Sequence, residues 1–316
     1  MVHYVIILGG NGYFGTNLIE WISCNRPDYV IISIDRTDEQ LTKDDVMYLT
    51  YDFNDSFDGL KLELELEQDD IIDIYNLAAE SFVPDSLTNY EHVMKNNINC
   101  TLFGLKMFKV FSWICDCKLF HISTDEVNVY HEKSIDCISG YALSKRLSEE
   151  ILLNNNMSNV FIIRPANIYG TVLNEKHCLQ QKKCLINNIV NAIKDKSELT
   201  YEFHNQTRRF IHISNMCEDL VKFNPQDFII EDVGNVKIYN VKYSDEISIY
   251  ELLKRCSEKF KLKLKVKHDP RGKFQDLNYN VIHCYNRKDF YVLESEDKKN
   301  YAKIIREIEE MSNITC

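Results

Sequence analysis

A turn with three regularly spaced glycines joins the first apolar segment of the chain to its first helical pattern. Gly9, Gly12 and Gly15 lie directly after an apolar run over residues 4–8 and directly before a helical pattern over residues 16–23. Glycines at this spacing allow a tight turn and let backbone N–H groups approach a pyrophosphate at the helix N-terminus. A purely structural turn is the alternative, but the chain holds only 10 glycines, which makes three in one turn informative. The spacing therefore predicts a dinucleotide-binding strand–turn–helix unit.

An acidic residue stands where such a unit binds the adenosine ribose. Asp35 ends the second apolar run, 20 residues after Gly15. A carboxylate at this point accepts a hydrogen bond from the ribose 2′-hydroxyl and repels a 2′-phosphate, which favours NAD over NADP. Arg36 follows at once and favours the opposite choice. We expect NAD as the cofactor, with NADP as the alternative.

Apolar runs alternate with helical patterns along the first half of the chain. This order predicts a Rossmann-type α/β fold, in which helices cover both faces of a doubly wound parallel sheet. The predicted strands cover residues 4–8, 30–34, 47–52, 71–77, 118–123 and 160–164, and the main helices cover residues 16–23, 90–112 and 141–154. We expect a dinucleotide-binding domain over residues 1–167, with returning segments near 208–241, and a smaller α/β substrate-binding lobe over residues 168–316.

The segment over residues 61–67 gives two conflicting predictions. Leucine and glutamate alternate there with a period of two, which is typical of a strand. The strand–helix–strand order of the surrounding sequence requires a helix at this point. We follow that order and predict a helix.

Composition excludes several classes of protein. The formal net charge of −11 argues against a general nucleic-acid binder, which needs a basic surface. No run approaches the roughly 18 apolar residues that indicate a membrane span, and the N-terminus lacks the basic region and cleavage site of a signal peptide. The 11 cysteines show no metal-ligand spacing, so we expect reduced thiols, no bound metal and a cytoplasmic protein.

A tyrosine and a lysine lie four residues apart in one of the predicted helices. Tyr141 and Lys145 therefore share a helix face, where the lysine charge would lower the pKa of the phenol and let it exchange a proton with a substrate hydroxyl. The fifth predicted strand is followed by Thr124, Asp125 and Glu126, and ligands of parallel sheets bind beyond the carboxyl ends of the strands. Two adjacent carboxyls there predict one protonated and one ionised group with different tasks. A helix cap or a solvated turn is the alternative.

These motifs, in this order, resemble those of the extended short-chain dehydrogenases/reductases, and within them the dTDP-glucose 4,6-dehydratase group. The resemblance spans roughly residues 4–281. The motifs that carry it are Gly9–Gly15, Asp52-Phe53, Asn76–Ser81, Asn97, His121–Val127, Tyr141 with Lys145, Arg164–Gly170, Arg208–His212, Tyr239–Val241 and Asp276–Tyr279. The Asp125-Glu126 pair is the most diagnostic, because epimerases and reductases of the superfamily usually lack it.

The resemblance implies a nucleotide-sugar 4,6-dehydratase that uses a nicotinamide cofactor. Tyr141, helped by Thr124 and Lys145, would act as the base for oxidation at carbon 4 of the sugar. Glu126 would remove the proton on carbon 5, and Asp125 would protonate the departing hydroxyl of carbon 6. The hydride would return to carbon 6 and a proton to carbon 5, so that the net reaction is loss of water.

It also implies which residues contact the two ligands. The cofactor residues would be Gly9, Gly12, Tyr13, Phe14, Gly15, Asp35, Arg36, Asp52, Phe53, Leu77, Ala78, Ala79, Asn97, Tyr141 and Lys145, with Asp52 and Phe53 at the adenine. The substrate residues would be Ser81, Thr124, Asn167, Arg208, Asn240, Arg271 and Tyr279, with Arg208 facing a phosphate.

Departures from the family pattern concern the sugar pocket. The stretch over residues 127–140 is shorter than usual and lacks a proline-rich lid. Asn278 stands where an arginine commonly touches the diphosphate, a contact that Arg271 would replace. The sequence also resembles giant-virus sugar dehydratases, one type of which acts on UDP-N-acetylglucosamine and inverts carbon 5. Among UDP- and dTDP-hexoses we therefore expect that substrate, and both retention and inversion at carbon 5 remain open.

Two other functions remain open. A nucleotide-sugar 4-epimerase would use the same fold but would not need the Asp125-Glu126 pair, and a non-catalytic interaction protein would not need an intact set of catalytic residues. By resemblance we also expect a homodimer, joined through the helices near residues 90–112 and 141–154, whose apolar faces would otherwise belong to the core.

Overall fold

The computed structural model describes residues 1–38, 43–60, 62–81, 86, 88–127, 139–155, 157–170, 185–202, 207–241, 246–267 and 297–313. The strands within these ranges are β1 (His3–Leu8), β2 (Tyr29–Asp35), β3 (Val46–Thr50), β4 (Ile71–Asn76), β5 (Asp116–Ile122), β6 (Val160–Arg164), β7 (Asn167–Tyr169), β8 (Leu199–Glu202), β9 (Thr207–His212), β10 (Phe228–Val233), β11 (Val236–Val241), β12 (Glu246–Ser248) and β13 (Leu264–Lys267). The α-helices are α1 (Tyr13–Asn25), α2 (Tyr90–Phe111), α3 (Gly140–Asn155), α4 (Leu185–Asp195), α5 (Ile213–Lys222), α6 (Ile249–Phe260) and α7 (Asp297–Asn313). None of these helices is long and apolar enough to cross a membrane.

The described chain divides into two compact lobes. The first lobe comprises Met1–Val127, Ser139–Pro165 and the returning segment Cys217–Val241. The second lobe comprises the described parts of Ala166–Met216 and Lys242–Cys316. The return to the first lobe thus begins at Cys217, later than the sequence-based range near 208, because β9 pairs with β7 and β12 in the second lobe.

An eight-stranded sheet forms the centre of the first lobe, in the order β10-β11-β6-β5-β4-β1-β2-β3. From β11 to β3 all neighbouring pairs are parallel, and β10 is antiparallel at one edge. The order reverses between β1 and β4, the switch point at which ligands bind in doubly wound sheets. The predicted Rossmann-type α/β fold is confirmed.

Burial on both faces explains why the central strands are continuous apolar runs. Ile6, Ile7 and Leu8 of β1 are all 0% exposed although they point to alternate faces. Helices therefore cover both sides of the sheet, and the carboxyl ends of β1, β4, β5 and β6 share one edge. Residues that directly follow these strands are brought together there.

The segment over residues 62–67 is not a helix, so the sequence-based prediction was wrong. Leu62, Leu64 and Leu66 pack against the core of the first lobe, while Glu63 and Glu65 between them are exposed. The period of two therefore reflects an extended segment with one face on the core. Within the described residues it pairs with no strand, so it is not part of a sheet.

The β10–β11 hairpin was not predicted from the sequence. Gly234 adopts a φ of +67° in the two-residue turn between Val233 and Val236, a conformation that glycine enters at little cost. β11 then pairs in parallel with β6, so the hairpin extends the sheet beyond the first six strands.

The second lobe has its own sheets and core. β12, β9 and β7 form a three-stranded sheet, and β13 pairs with β8. Buried residues of α4, α6 and α7 pack together, among them Ile189, Leu252 and Ile308, each 0% exposed. α6 begins at a capped N-terminus, where the Ser248 hydroxyl accepts a hydrogen bond from the Glu251 N–H at 3.3 Å.

Candidate cofactor and active site

The glycine turn after β1 is built almost entirely from backbone atoms. Gly9 has a φ of +86° and its N–H donates to the Ile34 carbonyl at 2.8 Å. A Cβ added to Gly9 would lie 2.9 Å from backbone atoms of Ala78, and one added to Gly15 would lie 2.3 Å from the Gly9 carbonyl oxygen. The three glycines therefore let α1 and the loop after β4 close onto the turn without side chains between them.

This turn fits the pyrophosphate of a dinucleotide. α1 begins at Tyr13 with the exposed Gly12 as its N-cap, and no side chain caps it. The positive end of the helix dipole and the first-turn N–H groups favour an anion at this point. Tyr13 and Phe14, which the resemblance assigns to the cofactor, are half-buried in that first turn.

Asp35 and Arg36 leave the end of β2 in different directions. An oxygen of the Asp35 carboxylate accepts a hydrogen bond from the Asn11 N–H at 3.0 Å, which ties β2 to the glycine turn. Arg36 Nη2 lies 2.5 Å from Glu80 Oε1, in the loop after β4. Sequence reasoning gave Glu80 no function, because its partner is 44 residues away along the chain.

The remaining cofactor residues predicted by resemblance lie around this edge of the sheet. Asp52 is exposed, and hydrogen bonds from the Asn54 backbone and side chain hold its pKa below the usual value. Phe53 is buried, with its ring 4.9 Å from that of Phe103. The Leu77 N–H donates to the Leu8 carbonyl at 3.0 Å, and Ala78 and Ala79 follow it. Asn97 is buried.

Thr124, Asp125 and Glu126 follow β5 and meet Tyr141 at the start of α3. A single 3₁₀ turn covers residues 125–127, and the Asp125 N–H donates to the Pro165 carbonyl at 3.0 Å. The Glu126 N–H donates to Thr124 Oγ1 at 3.3 Å. Thr124 also shares a hydrogen bond with the Tyr141 phenol, and both carboxylates act on that phenol electrostatically. The four side chains therefore form one group.

The pKa of Tyr141 is raised, whereas the sequence predicted that Lys145 would lower it. Burial is the largest cause, followed by the Glu126 charge, and the hydrogen bond from Thr124 opposes them. Lys145 is 3% exposed and its Nζ donates to the Ile122 carbonyl at 2.7 Å. Burial lowers the pKa of Lys145 to about 8, although the nearby Cys100 and Glu149 oppose that shift.

A group of charged and polar side chains includes Ser123, which directly precedes Thr124, and we name it the charged cluster. It consists of Ser123, Glu149, Arg164, Glu231 and Asn240. Arg164 binds Glu149 through two bonds of 2.9 and 2.6 Å, and Ser123 donates to the same carboxylate at 2.5 Å. Arg164 also reaches Glu231 at 3.3 Å. Arg164 and Glu149 are 1% and 0% exposed. The bonds of the cluster join the end of β5 to β6 and α3, and join β6 to β10 and β11 through Glu231.

Glu149 had a sequence signal that was overlooked. Tyr141, Lys145 and Glu149 follow at intervals of four, so all three side chains leave α3 on the same face. Asn240, which the resemblance assigns to the substrate, is buried and donates to Glu231 at 2.7 Å. The structure thus brings Asn240 into the charged cluster.

The other predicted substrate residues belong to the first lobe, to the second lobe or to segments outside the described residues. Ser81 is exposed at the end of the loop after β4. Asn167 and Arg208 belong to the second lobe, where Asn167 is exposed and donates to the Arg209 carbonyl at 3.2 Å, and Arg208 is half-buried on β9. Arg271 and Tyr279 lie outside the described residues.

Comparisons with known proteins show the family and the fold. An uncharacterised protein of Schizosaccharomyces pombe is 25% identical over 88% of this chain and 88% of its own length. The dTDP-D-glucose 4,6-dehydratase of Dictyostelium discoideum is 25% identical over 80% of this chain and 61% of its own length. The crystal structure of DesIV, a dTDP-glucose 4,6-dehydratase from Streptomyces venezuelae with NAD bound, covers 97% of each chain with a TM-score of 0.67 and 19% identity. The sequence pattern of the GDP-mannose 4,6 dehydratase family matches residues 6–298, and this chain therefore belongs to that family.

Proposed function

We propose that this protein removes water from a nucleotide-activated hexose as a 4,6-dehydratase. The observation that carries the proposal is the pair Asp125 and Glu126 acting on the same phenol, Tyr141, that Thr124 hydrogen-bonds. Oxidation and reduction at one carbon need only the tyrosine and its partners. Two further carboxyls beside it supply the acid and the base that an elimination requires.

The cofactor that we propose is NAD, which would supply a hydride acceptor when bound. The uncapped N-terminus of α1 and the close-packed glycine turn support a pyrophosphate there. Asp35 at the end of β2 supports a ribose with a free 2′-hydroxyl.

The side chains then divide the proton transfers of the reaction. The ionised phenol of Tyr141 would take the proton of the hydroxyl on carbon 4, while the hydrogen bound to carbon 4 would leave as hydride. Glu126 takes the proton of carbon 5, which the new ketone acidifies, and Asp125 gives a proton to the hydroxyl that leaves carbon 6 as water. Carbon 6 would take the hydride that bound NAD supplies, and a proton would return to carbon 5. Lys145, the buried cation on the same helix face, would stabilise the ionised phenol and so oppose the burial that raises the Tyr141 pKa.

The substrate that we propose is UDP-N-acetylglucosamine, with inversion at carbon 5. The sequence resemblance to inverting dehydratases and the short stretch over residues 127–140 support it. A homodimer is supported by Leu102 on α2 and Leu147 on α3, which are 45% and 37% exposed on the two helices predicted to pair.

The test compares the wild type with the double variant Asp125→Asn/Glu126→Gln. Each protein is incubated with UDP-N-acetylglucosamine, UDP-glucose or dTDP-glucose, and the product is analysed by mass spectrometry. We expect the wild type to release one water, and the double variant to keep its fold and lose roughly a thousandfold or more in turnover. Asp58→Asn, which removes a carboxylate that is 80% exposed in the same lobe, serves as the control.

Two outcomes would contradict the proposal. Turnover unchanged in the double variant would remove the carboxyl pair from the chemistry. An isomeric product of unchanged mass would identify a 4-epimerase instead. Repeating the reaction in deuterated water and assigning the product by NMR decides the configuration at carbon 5, and a retained D-gluco configuration would rule out inversion.

A further inference from the structure

Glu80 lies beside Arg36, the residue that directly follows Asp35 in the sequence. Its Oε1 is 2.5 Å from Arg36 Nη2, and the two side chains are 14% and 45% exposed respectively. The carboxylate is thus mostly withdrawn from water, whereas the guanidinium remains half open to it. An ion pair with one partially buried partner is less screened than a pair on the open surface.

The backbone of Glu80 is held from two sides by one buried residue. The Asn97 side chain accepts from the Glu80 N–H at 2.7 Å and donates to the Glu80 carbonyl at 3.2 Å. The same amide donates to Ser144 on α3 at 2.8 Å. Asn97 is 2% exposed on α2, so the loop that carries Glu80 is fixed to two helices. The carboxylate is therefore preorganised toward Arg36.

Three carboxylates act on the Arg36 guanidinium. Glu80 raises the pKa of Arg36 through a hydrogen bond and its charge, and Asp35 and Asp52 add smaller effects, which together outweigh the lowering by burial. Lys95 also acts on Asp52, so two positive charges stand among three negative ones and the group as a whole is negative. A phosphate would be repelled there, although Arg36 alone would attract it.

We propose that Glu80 makes the cofactor site selective for NAD over NADP, by occupying Arg36 and adding a second carboxylate beside Asp35. This inference rests on the proposed function, since it assumes a dinucleotide at the glycine turn. In the wild type the charge of Arg36 is then paired with that of Glu80. Of the two opposing sequence signals, Asp35 for NAD and Arg36 for NADP, the one from Asp35 prevails.

The experiment measures which dinucleotide the purified protein holds. Each variant is equilibrated with an equimolar mixture of NAD and NADP, separated from unbound nucleotide by gel filtration, and denatured so that the released nucleotides are quantified by chromatography. The proteins are the wild type, Glu80→Gln, Arg36→Gln, Glu80→Gln/Arg36→Gln and the control Asp58→Asn. Glu80→Gln keeps the shape of the side chain and removes only its charge.

We expect Glu80→Gln to raise the ratio of bound NADP to bound NAD roughly tenfold, because it frees a guanidinium that forms a charge-assisted bond with a 2′-phosphate. In the double variant this gain should disappear, and Asp58→Asn should behave as the wild type. Glu80→Asp, whose shorter carboxylate cannot reach Arg36 as closely, should give an intermediate ratio and replaces Glu80→Gln if that variant fails to fold.

A folded Glu80→Gln or Glu80→Asp protein with an unchanged ratio would overturn the inference while leaving the proposed function intact. A gain of the same size in the presence and absence of Arg36 would also overturn it, because Glu80 would then act without its partner. A wild type that retains neither dinucleotide would overturn the cofactor assignment itself, and with it the proposed function.

Discussion

The glycine turn after β1 and the charged cluster belong to the same lobe but are made of different atoms. The turn consists of backbone groups packed so closely that a single added Cβ would lie 2.3 Å from a carbonyl oxygen. The charged cluster consists of side chains, of which Arg164 and Glu149 are almost fully buried while Glu231 is 43% exposed.

The difference teaches what each region tolerates. The turn is built from uncharged backbone groups, so it should be destabilised mainly by substitutions that add volume. The cluster has charges that must remain paired, so its weakness is the removal of one partner. Variants that change only volume or only charge therefore separate the two kinds of construction.

The largest effect is expected for Arg164→Met. It leaves the Glu149 carboxylate, which is 0% exposed, without its bidentate partner. Breaking such a buried pair typically costs about 3–5 kcal/mol. We expect a loss of that size in the free energy of unfolding, measured by urea denaturation. Arg146→Met is the control, since Arg146 approaches Glu149 only to 3.5 Å. If Arg164→Met/Glu149→Leu regains no stability, the buried charge is not the cause.

A smaller and pH-dependent effect is expected for Lys145→Met. Burial lowers the pKa of Lys145 from 10.5 to about 8, so between these pH values the unfolded chain binds more protons than the folded one. The cost of burying the cation is fully present below pH 8 and is relieved as the pH rises toward 10.5. We expect Lys145→Met to be more stable than the wild type at pH 7 by roughly 2–3 kcal/mol.

The measurement for Lys145 is the difference in unfolding free energy between the two proteins at several pH values. Taking the difference cancels groups that do not interact with Lys145, such as Cys217, whose pKa is raised to about 12 by burial alone. A difference that stays constant between pH 7 and pH 10 would mean that Lys145 does not titrate in the folded protein as described.

Gly15→Ala should cost about 2 kcal/mol of folding free energy, because the added methyl meets backbone that cannot move aside. Gly12→Ala is the matched control, since the nearest atom to its added Cβ is a carbonyl oxygen at 3.3 Å. We expect Gly12→Ala to cost clearly less than Gly15→Ala, about 1 kcal/mol, because alanine is a poorer N-cap than glycine. Equal losses in both variants would show that close packing does not distinguish the two positions.

The smallest effect is expected for Ser123→Ala. This variant removes a 2.5 Å hydrogen bond to Glu149 but leaves both bonds from Arg164. The loss should be about 1 kcal/mol by urea denaturation, and Ser112→Ala at the exposed end of α2 should show none. A loss as large as that of Arg164→Met would mean that the hydroxyl, and not the ion pair, holds the cluster together.

The parallel strands could be predicted because their signal is local. Strands β1 to β6 begin and end within two residues of the predicted ranges, and the signal is clearest in β1, where burial on both faces gives a continuous apolar run. The helix predicted over residues 62–67 was wrong. It was inferred from the expected order of strands and helices, although the period of two in the sequence correctly indicated an extended segment. The turn at Gly234 was also a signal for the missed hairpin.

The group at Tyr141 could be predicted in membership but not in electrostatics. The order of motifs placed Thr124, the two carboxyls and Tyr141 at one edge of the sheet. The raised pKa of Tyr141 depends on burial and on the direction of each charge, which spacing along a helix does not specify. The contacts of Arg164 with Glu231 and of Arg36 with Glu80 join residues 67 and 44 positions apart, so they follow only from the strand order.

The path of the chain delays completion of the first lobe during synthesis. Strand β6 ends at Arg164, but its neighbour β11 lies in the returning segment that ends at Val241. At translation rates of ~5–20 residues per second, β6 remains an unpaired sheet edge for several seconds after it leaves the ribosome. During that interval Arg164 also lacks the Glu231 carboxylate, and the open edge is available to other chains or to a chaperone.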